Sequence, residues 1–195
     1  MRELREGATL VLDAVDELHP PVRDVAEALE GVFRVRVQVN GYAGWRTSHG
    51  FDLHFDDHDV FVLQIAGRKD WKIYGLSPER PDTPIWEGRL EDGDLLYIPR
   101  GWWHVATPLD EPTLHLTVGV SNPTGADLLS WFVEKLRANE QIRQDLPQFS
   151  SSADQQEYLD RIRQVVASEW SSSLLCEYFA DLDAKAQPRP RLSLP

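Results

Sequence analysis

His54, Phe55 and Asp56 stand just ahead of the apolar segment DVFVLQIAG. Side chains of an extended chain alternate between faces, so a histidine and an aspartate two apart point the same way and can grip one ion. A third ligand has to come from elsewhere, and His104, in GDLLYIPRGWWHV, is the natural candidate. Two histidines and one carboxylate leave three positions of an octahedral ion open, an arrangement that suits non-haem iron(II) working with oxygen and a cosubstrate. His58 shares parity with His54 and Asp56 and competes for a ligand position. Asp57, His58 and Asp59 also read, more simply, as a solvated acidic turn. The single cysteine, Cys176, excludes an internal disulfide and thiolate clusters, so any metal rests on histidine and carboxylate.

Lys69 is the next residue of interest. In GRKDWKIY it shares parity with Trp71 and Ile73, which places an ammonium on the apolar face. A buried lysine is costly unless it meets an anion, and a dicarboxylate cosubstrate would supply one. The alternative is that Lys69 ends a strand and reaches solvent, as Arg68 does. Trp102 and Trp103, beside His104, either wall a cavity or fill core.

Elements able to position these residues are legible along the chain. VFRVRVQVN, DVFVLQIAG, DWKIYGL, DLLYIP and LHLTVGV have strand character and are separated by turn-rich pieces, the pattern of an antiparallel sandwich or barrel. ATLVLDAV is a further strand candidate, and a short helix is expected from about Val22 to Leu29. From Gly125 the texture becomes helical, with Leu128, Leu129, Phe132, Val133 and Leu136 at helical spacing. Further helices are expected from about Ser152 and over Leu174 to Leu182. The tail QPRPRLSLP cannot continue a helix and is expected to be an extended arm or disordered. The expected organisation is therefore a β domain over 1–122, a helical region over 123–186 and a proline-rich tail over 187–195.

The chain has 195 residues, with 32 acidic against 20 basic side chains and a net charge of −12. That balance offers no basic stripe for nucleic acid, so none is expected as partner. No stretch reaches the ~20 apolar residues of a membrane span, and the acidic start does not read as a signal peptide, so a cytoplasmic protein is expected.

The segments VQVNGY, HFDDHDVFVLQIAGRKDWKIY and DGDLLYIPRGWWHVA followed by LHLTVGV resemble the JmjC-type, cupin-fold 2-oxoglutarate oxygenases, most closely the ribosomal oxygenase branch and its bacterial relatives. The resemblance runs from about Ala8 to Val120. It implies a mainly β chain, a double-stranded β-helix (jelly-roll) barrel followed by a C-terminal α-helical region. It implies that His54, Asp56 and His104 bind iron(II) and that His58 does not. It further implies that Lys69 pairs with the distal carboxylate of 2-oxoglutarate, that Asn40 and Tyr42 contact cosubstrate or substrate, Asn40 being assigned to the cosubstrate and Tyr42 to the substrate, and that Thr117 touches the cosubstrate. Trp103, from its place beside His104, is assigned to the substrate. With O2 as second cosubstrate, the implied activity is hydroxylation of a C–H bond, on an Arg or His side chain of a protein or peptide of basic character.

Two alternatives stand beside it. One is a hydroxylase of a free amino acid or a peptide natural product. The other is a metal-binding cupin module without oxygenase activity, favoured by a chain that begins almost at the barrel where family members carry additional helical sequence. Retention of Lys69 together with the whole triad favours the enzyme. In the ribosomal branch the helices after the barrel form a dimer interface, and Leu128, Phe132 and Leu136 would serve, unless that stripe packs on its own domain. A homodimer is expected, and sedimentation at roughly tens of micromolar, about the range of ordinary non-obligate association, checks it; a monomer there contradicts it.

Overall fold

Alternation along 37–44, 59–66 and 113–120 suits the two ladders that join these segments, with 113–120 paired on both sides. The computed structural model describes residues 2–46, 51–186 and 189. In chain order the elements are α1 (Arg2–Arg5), β1 (Leu10–Leu12), α2 (Val15–Leu18), α3 (Pro20–Phe33), β2 (Val37–Gly44), β3 (Asp59–Ala66), β4 (Lys69–Leu76), β5 (Trp86–Leu90), β6 (Leu95–Ile98), β7 (Trp102–Pro108), β8 (Thr113–Val120), α4 (Gly125–Leu136), α5 (Ser152–Glu169) and α6 (Leu174–Lys185). They divide into two units, Met1–Asn122 with Arg189–Pro195, and Pro123–Pro188.

In the first unit a five-stranded antiparallel sheet, in the order β1-β2-β8-β3-β6, accompanies a three-stranded one, β5-β4-β7. Val60, Val62 and Ile98 of the larger sheet pack with Trp71, Ile73 and Leu90 of the smaller, so one core lies between the two. The architecture is the expected jelly roll, and its two sheets do not close into one barrel: among the described residues no ladder of named strands joins them. On the outer face, Val37 and Val39 of β2 and Val118 and Val120 of β8 bury against α3 through Val22, Ala26, Leu29 and Phe33. One face of β2 and β8 is thus covered by a helix.

Gly67 makes the turn between β3 and β4 at φ +66, with a β-carbon there falling 2.2 Å from the Pro112 carbonyl oxygen. Only glycine fits, and the turn delivers Lys69 as the first residue of β4.

Several boundaries differ from the sequence expectation. Helix α3 runs from Pro20 through Phe33, so the strand read from VFRVRVQVN begins only at Val37. The stripe of Val22, Ala26, Leu29 and Phe33 has helical spacing and a core to cover, and Arg34 ends the helix in the left-handed region at φ 57. The strand read from ATLVLDAV shrinks to Leu10–Leu12, because Val15 opens α2. Strand β5, whose residues are mostly exposed, had no expectation at all.

In the second unit, Thr124 with Asp127 and Ser151 with Asp154 form capping boxes that start α4 and α5. Phe132 and Leu136 bury against Val165 and Leu174 inside that unit. No helix among the described residues is long and apolar enough to cross a membrane. Of the expected tail, Arg189 is buried, and the other residues lie outside the described ones.

Ile98 is 1% exposed in the inter-sheet core and Leu95, on the same strand, is 63% exposed. Ile98→Ala should lower stability by about 2–5 kcal/mol and Leu95→Ala by no more than about 0.5 kcal/mol in urea unfolding; similar losses would contradict the placement of the core.

Candidate active site

His54 does not lie in a named strand. It forms a single antiparallel bridge with His104 of β7, its N–H donating to the His104 carbonyl at 3.2 Å and accepting at its own carbonyl from the His104 N–H at 2.7 Å. Asp56 is fixed at its backbone, where its carbonyl accepts the Gly101 N–H at 2.8 Å. Gly101 turns at φ +78, a conformation open to glycine, and so links β6 to β7 at this point. The two-residue parity of His54 and Asp56 therefore survives although the segment is extended loop: both line one cavity, while Phe55 points away onto the Trp103 ring.

One ligand atom from each of His54, Asp56 and His104 lies within 4.8 Å of the others. His104 Nε2 is 3.5 Å from Asp56 Oδ2. His54 Nδ1 sits 2.7 Å from the Asp52 carbonyl and His104 Nδ1 2.9 Å from the Trp102 carbonyl. Each carbonyl takes the Nδ1–H, which leaves the Nε2 lone pair of each ring for an ion, the outer support that metal-binding histidines ordinarily have. Burial, with a smaller contribution from His54, holds His104 below its ordinary value and so in the neutral, metal-binding form, against the pull of the backbone carbonyl and Asp56. The donor set fits a divalent metal with open positions. His58 also lines the cavity, yet its Nδ1 bonds Asp57 and it stands outside the three-residue group.

The cavity, of about 290 Å³, reaches from these ligands to a buried lysine. Lys69 is 4% exposed, and its Nζ donates to His115 Nδ1 at 2.8 Å. Burial lowers Lys69 to about 8. Burial, followed by the neighbouring Lys69 charge, pushes His115 well below its ordinary value, so it is a neutral acceptor at Nδ1 and carries its proton on Nε2. The His115 ring stacks on Tyr42 at 5.0 Å and meets the edge of Trp71 at 5.4 Å. Asn40 and Thr117 face each other across β2 and β8 and both line the cavity. Asn40 Oδ1 accepts the Ala14 N–H at 3.0 Å, so one of its polar atoms ties β2 to the start of α2.

Thus seven of the eight residues assigned a site role from the sequence, His54, Asp56, His104, Lys69, Asn40, Thr117 and Tyr42, line one cavity. Trp103 does not: its Nε1 donates to the Ser77 carbonyl at 3.0 Å and its ring packs on Phe55. On β7 it has the opposite parity to Trp102 and His104, so it faces away from the cavity. His115 is the residue that sequence reasoning left without a role. Its signal was present in the shared parity with Thr113 and Thr117, but its partnership with Lys69 spans 46 residues and needs the fold.

A family model described as the JmjC domain matches residues 18–128. The bifunctional lysine-specific demethylase and histidyl-hydroxylase NO66 of Brugia malayi is 34% identical over 170 residues, 75% of this chain and 24% of that protein. NO66 of Drosophila persimilis is 38% identical over 110 residues, 50% of this chain and 16% of that protein. The structure of YcfD, a ribosomal oxygenase from Escherichia coli, in complex with cobalt and 2-oxoglutarate superposes with a TM-score of 0.69 at 22% identity, over 96% of this chain and 54% of that one. The fold is shared, and the chain spans about half the length of that structure and less than a third of these two NO66 proteins.

Lys69 is protonated in both folded and unfolded chains below pH about 8, where burial makes the folded charge costly. Between about 8 and the ordinary value of 10.5 the unfolded chain binds more protons, so stability rises with pH. From about pH 7 to about pH 10, wild type should therefore gain on the order of 1–3 kcal/mol relative to Lys69→Met in urea unfolding. A gap that stays constant or moves the other way contradicts a buried ammonium.

Proposed function

We propose that this chain, which belongs to the JmjC domain family, is an iron(II)- and 2-oxoglutarate-dependent oxygenase that hydroxylates a C–H bond of a protein or peptide side chain. The observation that carries the reading is the pairing, in one cavity, of a His-Asp-His group with ligand atoms within 4.8 Å and a buried lysine. A generic metal site has no use for the lysine, whose burial has no carboxylate partner among the described residues.

His54, Asp56 and His104 would hold the metal. Bound iron(II) supplies the redox chemistry that couples conversion of 2-oxoglutarate to succinate and carbon dioxide with insertion of one oxygen atom of O2 into the substrate C–H bond. The work of the chain is binding and orientation. The Lys69 ammonium, desolvated in advance, pairs with the distal carboxylate, and a dianion entering beside it restores the charge balance that burial disturbs. His115 keeps that ammonium in place by accepting one of its three protons, so the other two remain for the ligand. Asn40 and Thr117 offer further polar contacts to the cosubstrate from the facing strands. Val60, Val62 and Trp71 wall the cavity with apolar surface and exclude water.

Tyr42, with Phe51 edge-on at 5.8 Å, forms an aromatic rim for the substrate side chain. The net charge of −12 favours a basic partner presenting Arg or His, in keeping with histidyl-hydroxylase and ribosomal oxygenase as descriptions of the relatives. The stripe of Leu128, Phe132 and Leu136 expected at a dimer interface is spent inside its own unit. Leu129 and Val133 of α4 and Leu175 and Phe179 of α6, each about half exposed, support association of the chain as a homodimer instead.

The test is succinate release from 2-oxoglutarate in air. Wild type should form succinate only with iron(II), faster with a peptide bearing Arg or His, and His54→Ala and Lys69→Ala should each lose at least about 100-fold in rate, equivalent to ~2.7 kcal/mol of barrier. Iron binding without succinate under any condition would contradict the oxygenase in favour of a metal-binding module.

A further inference from the structure

Strand β2 has an edge that its neighbour does not cover. β1 pairs only Gly41, Tyr42 and Ala43, and Val37 to Val39 continue past its end. Their outward polar groups are met by side chains instead. Glu30 Oε1 accepts the Val37 N–H at 3.0 Å, Asp16 Oδ1 accepts the Val39 N–H at 2.7 Å, and the Val37 carbonyl accepts from the guanidinium of Arg189.

Arg189 reaches this corner from a position 152 residues along the chain from Val37, and its side chain is 1% exposed. Its Nη1 donates to Asp16 Oδ2, its Nη2 to Glu30 Oε1 at 2.8 Å and its Nε to Glu30 Oε2 at 3.1 Å. Asp16, 3% exposed at its side chain, thus spends one oxygen on β2 and the other on Arg189. Arg36 is a second cation near these carboxylates, at 3.6 Å from Glu30 and 3.8 Å from Glu17, and it is about half exposed. Arg23 is engaged with the Asp16 and Glu17 carbonyls. Neither neutralises the buried Asp16 carboxylate.

Removing the guanidinium would leave a buried carboxylate and a strand carbonyl unmet, which is far costlier than losing a surface pair. The acceptors are one oxygen of Asp16, both oxygens of Glu30 and one carbonyl. A planar fork of five N–H donors can satisfy them, and a point-charge ammonium cannot.

We propose that the corner formed by α2, α3 and β2 is a guanidinium-binding site whose occupant is Arg189 of the same chain, which latches onto the open edge of β2. The latch acts on the strand that carries Asn40 and Tyr42 into the cavity, and α2 is tied to that strand twice, by Asp16 to Val39 and by Ala14 to Asn40. It stands on its own observations and does not depend on the oxygenase reading, since Asp16, Glu30 and Arg189 are outside the cavity lining.

The test uses the full chain and reads the thermal unfolding midpoint with and without millimolar Nα-acetyl-arginine methylamide. Arg189→Ala should melt roughly 5 °C or more below wild type, and Arg189→Lys should recover less than half of that loss. The arginine amide should raise the midpoint of Arg189→Ala, while leaving wild type and the double variant Asp16→Asn/Arg189→Ala unmoved; the matching lysine amide should do nothing. A variant that melts with wild type, or an amide that shifts all three proteins alike, overturns the site. A midpoint that climbs with protein concentration in wild type but not in Arg189→Ala assigns the guanidinium to a second copy and overturns the intrachain latch. Should Arg189→Ala not be recovered folded, Arg189→Lys decides through amide exchange at Val39, expected about tenfold faster than wild type; unchanged exchange overturns the proposal.

Discussion

Two backbone hydrogen bonds between His54 and His104 hold the site together. The three ligands come from places 50 residues apart in sequence, and a facial arrangement tolerates little error in their separation. An antiparallel bridge settles that separation without side-chain help, because it sets the two Cα positions by backbone geometry alone. The Asp56 carbonyl, tied to Gly101 just before β7, holds the other end of the HxD segment to the same hairpin. The imidazole rings are then turned by the Asp52 and Trp102 carbonyls. Each ligand is thus positioned at its backbone, and each histidine again at its ring, before any ion arrives.

Register is the second constraint. On β2 and β8, Val37, Val39, Val118 and Val120 serve the outer core under α3, and Asn40, Tyr42, His115 and Thr117 serve the cavity. A slip of one residue would exchange valines for the cavity's polar groups, and it would also move the strand's outer valines away from α3. The same register sets Tyr42 opposite His115 and Asn40 opposite Thr117, so the stacking that steadies the lysine's partner is a product of strand pairing. Lys69 is the site where the fold accepts a cost for chemistry, since an apolar residue there would suit burial better than an ammonium.

Most of the cavity was legible because strand parity is a short-range rule. His54 and Asp56 two apart, and Lys69 in phase with Trp71 and Ile73, could be read from adjacent letters. The resemblance of the HxD-to-lysine block added the metal and cosubstrate roles. What parity could not supply was which long-range partner each residue meets. His115 stood in phase with Thr117, yet its bond to Lys69 depends on β4 and β8 facing across the core. Trp103 was read by adjacency to His104, and adjacency in a strand means opposite faces. The alternating V-R-V-R run concealed the last turn of α3, whose stripe is set by the core of β2 and β8. Arg189 sits in a tail without periodicity, and nothing local announces the buried carboxylates that receive it.

The central claim is that the triad holds one divalent ion and that the lysine then receives the anion. Anaerobic calorimetric titration with iron(II), followed by 2-oxoglutarate, tests it most directly. The account predicts one ion per chain, 2-oxoglutarate binding that requires the ion, and a Lys69→Ala protein that keeps the ion but loses the 2-oxoglutarate heat. Iron(II) uptake that is unchanged in His54→Ala, or 2-oxoglutarate binding indifferent to both iron and Lys69, would contradict it.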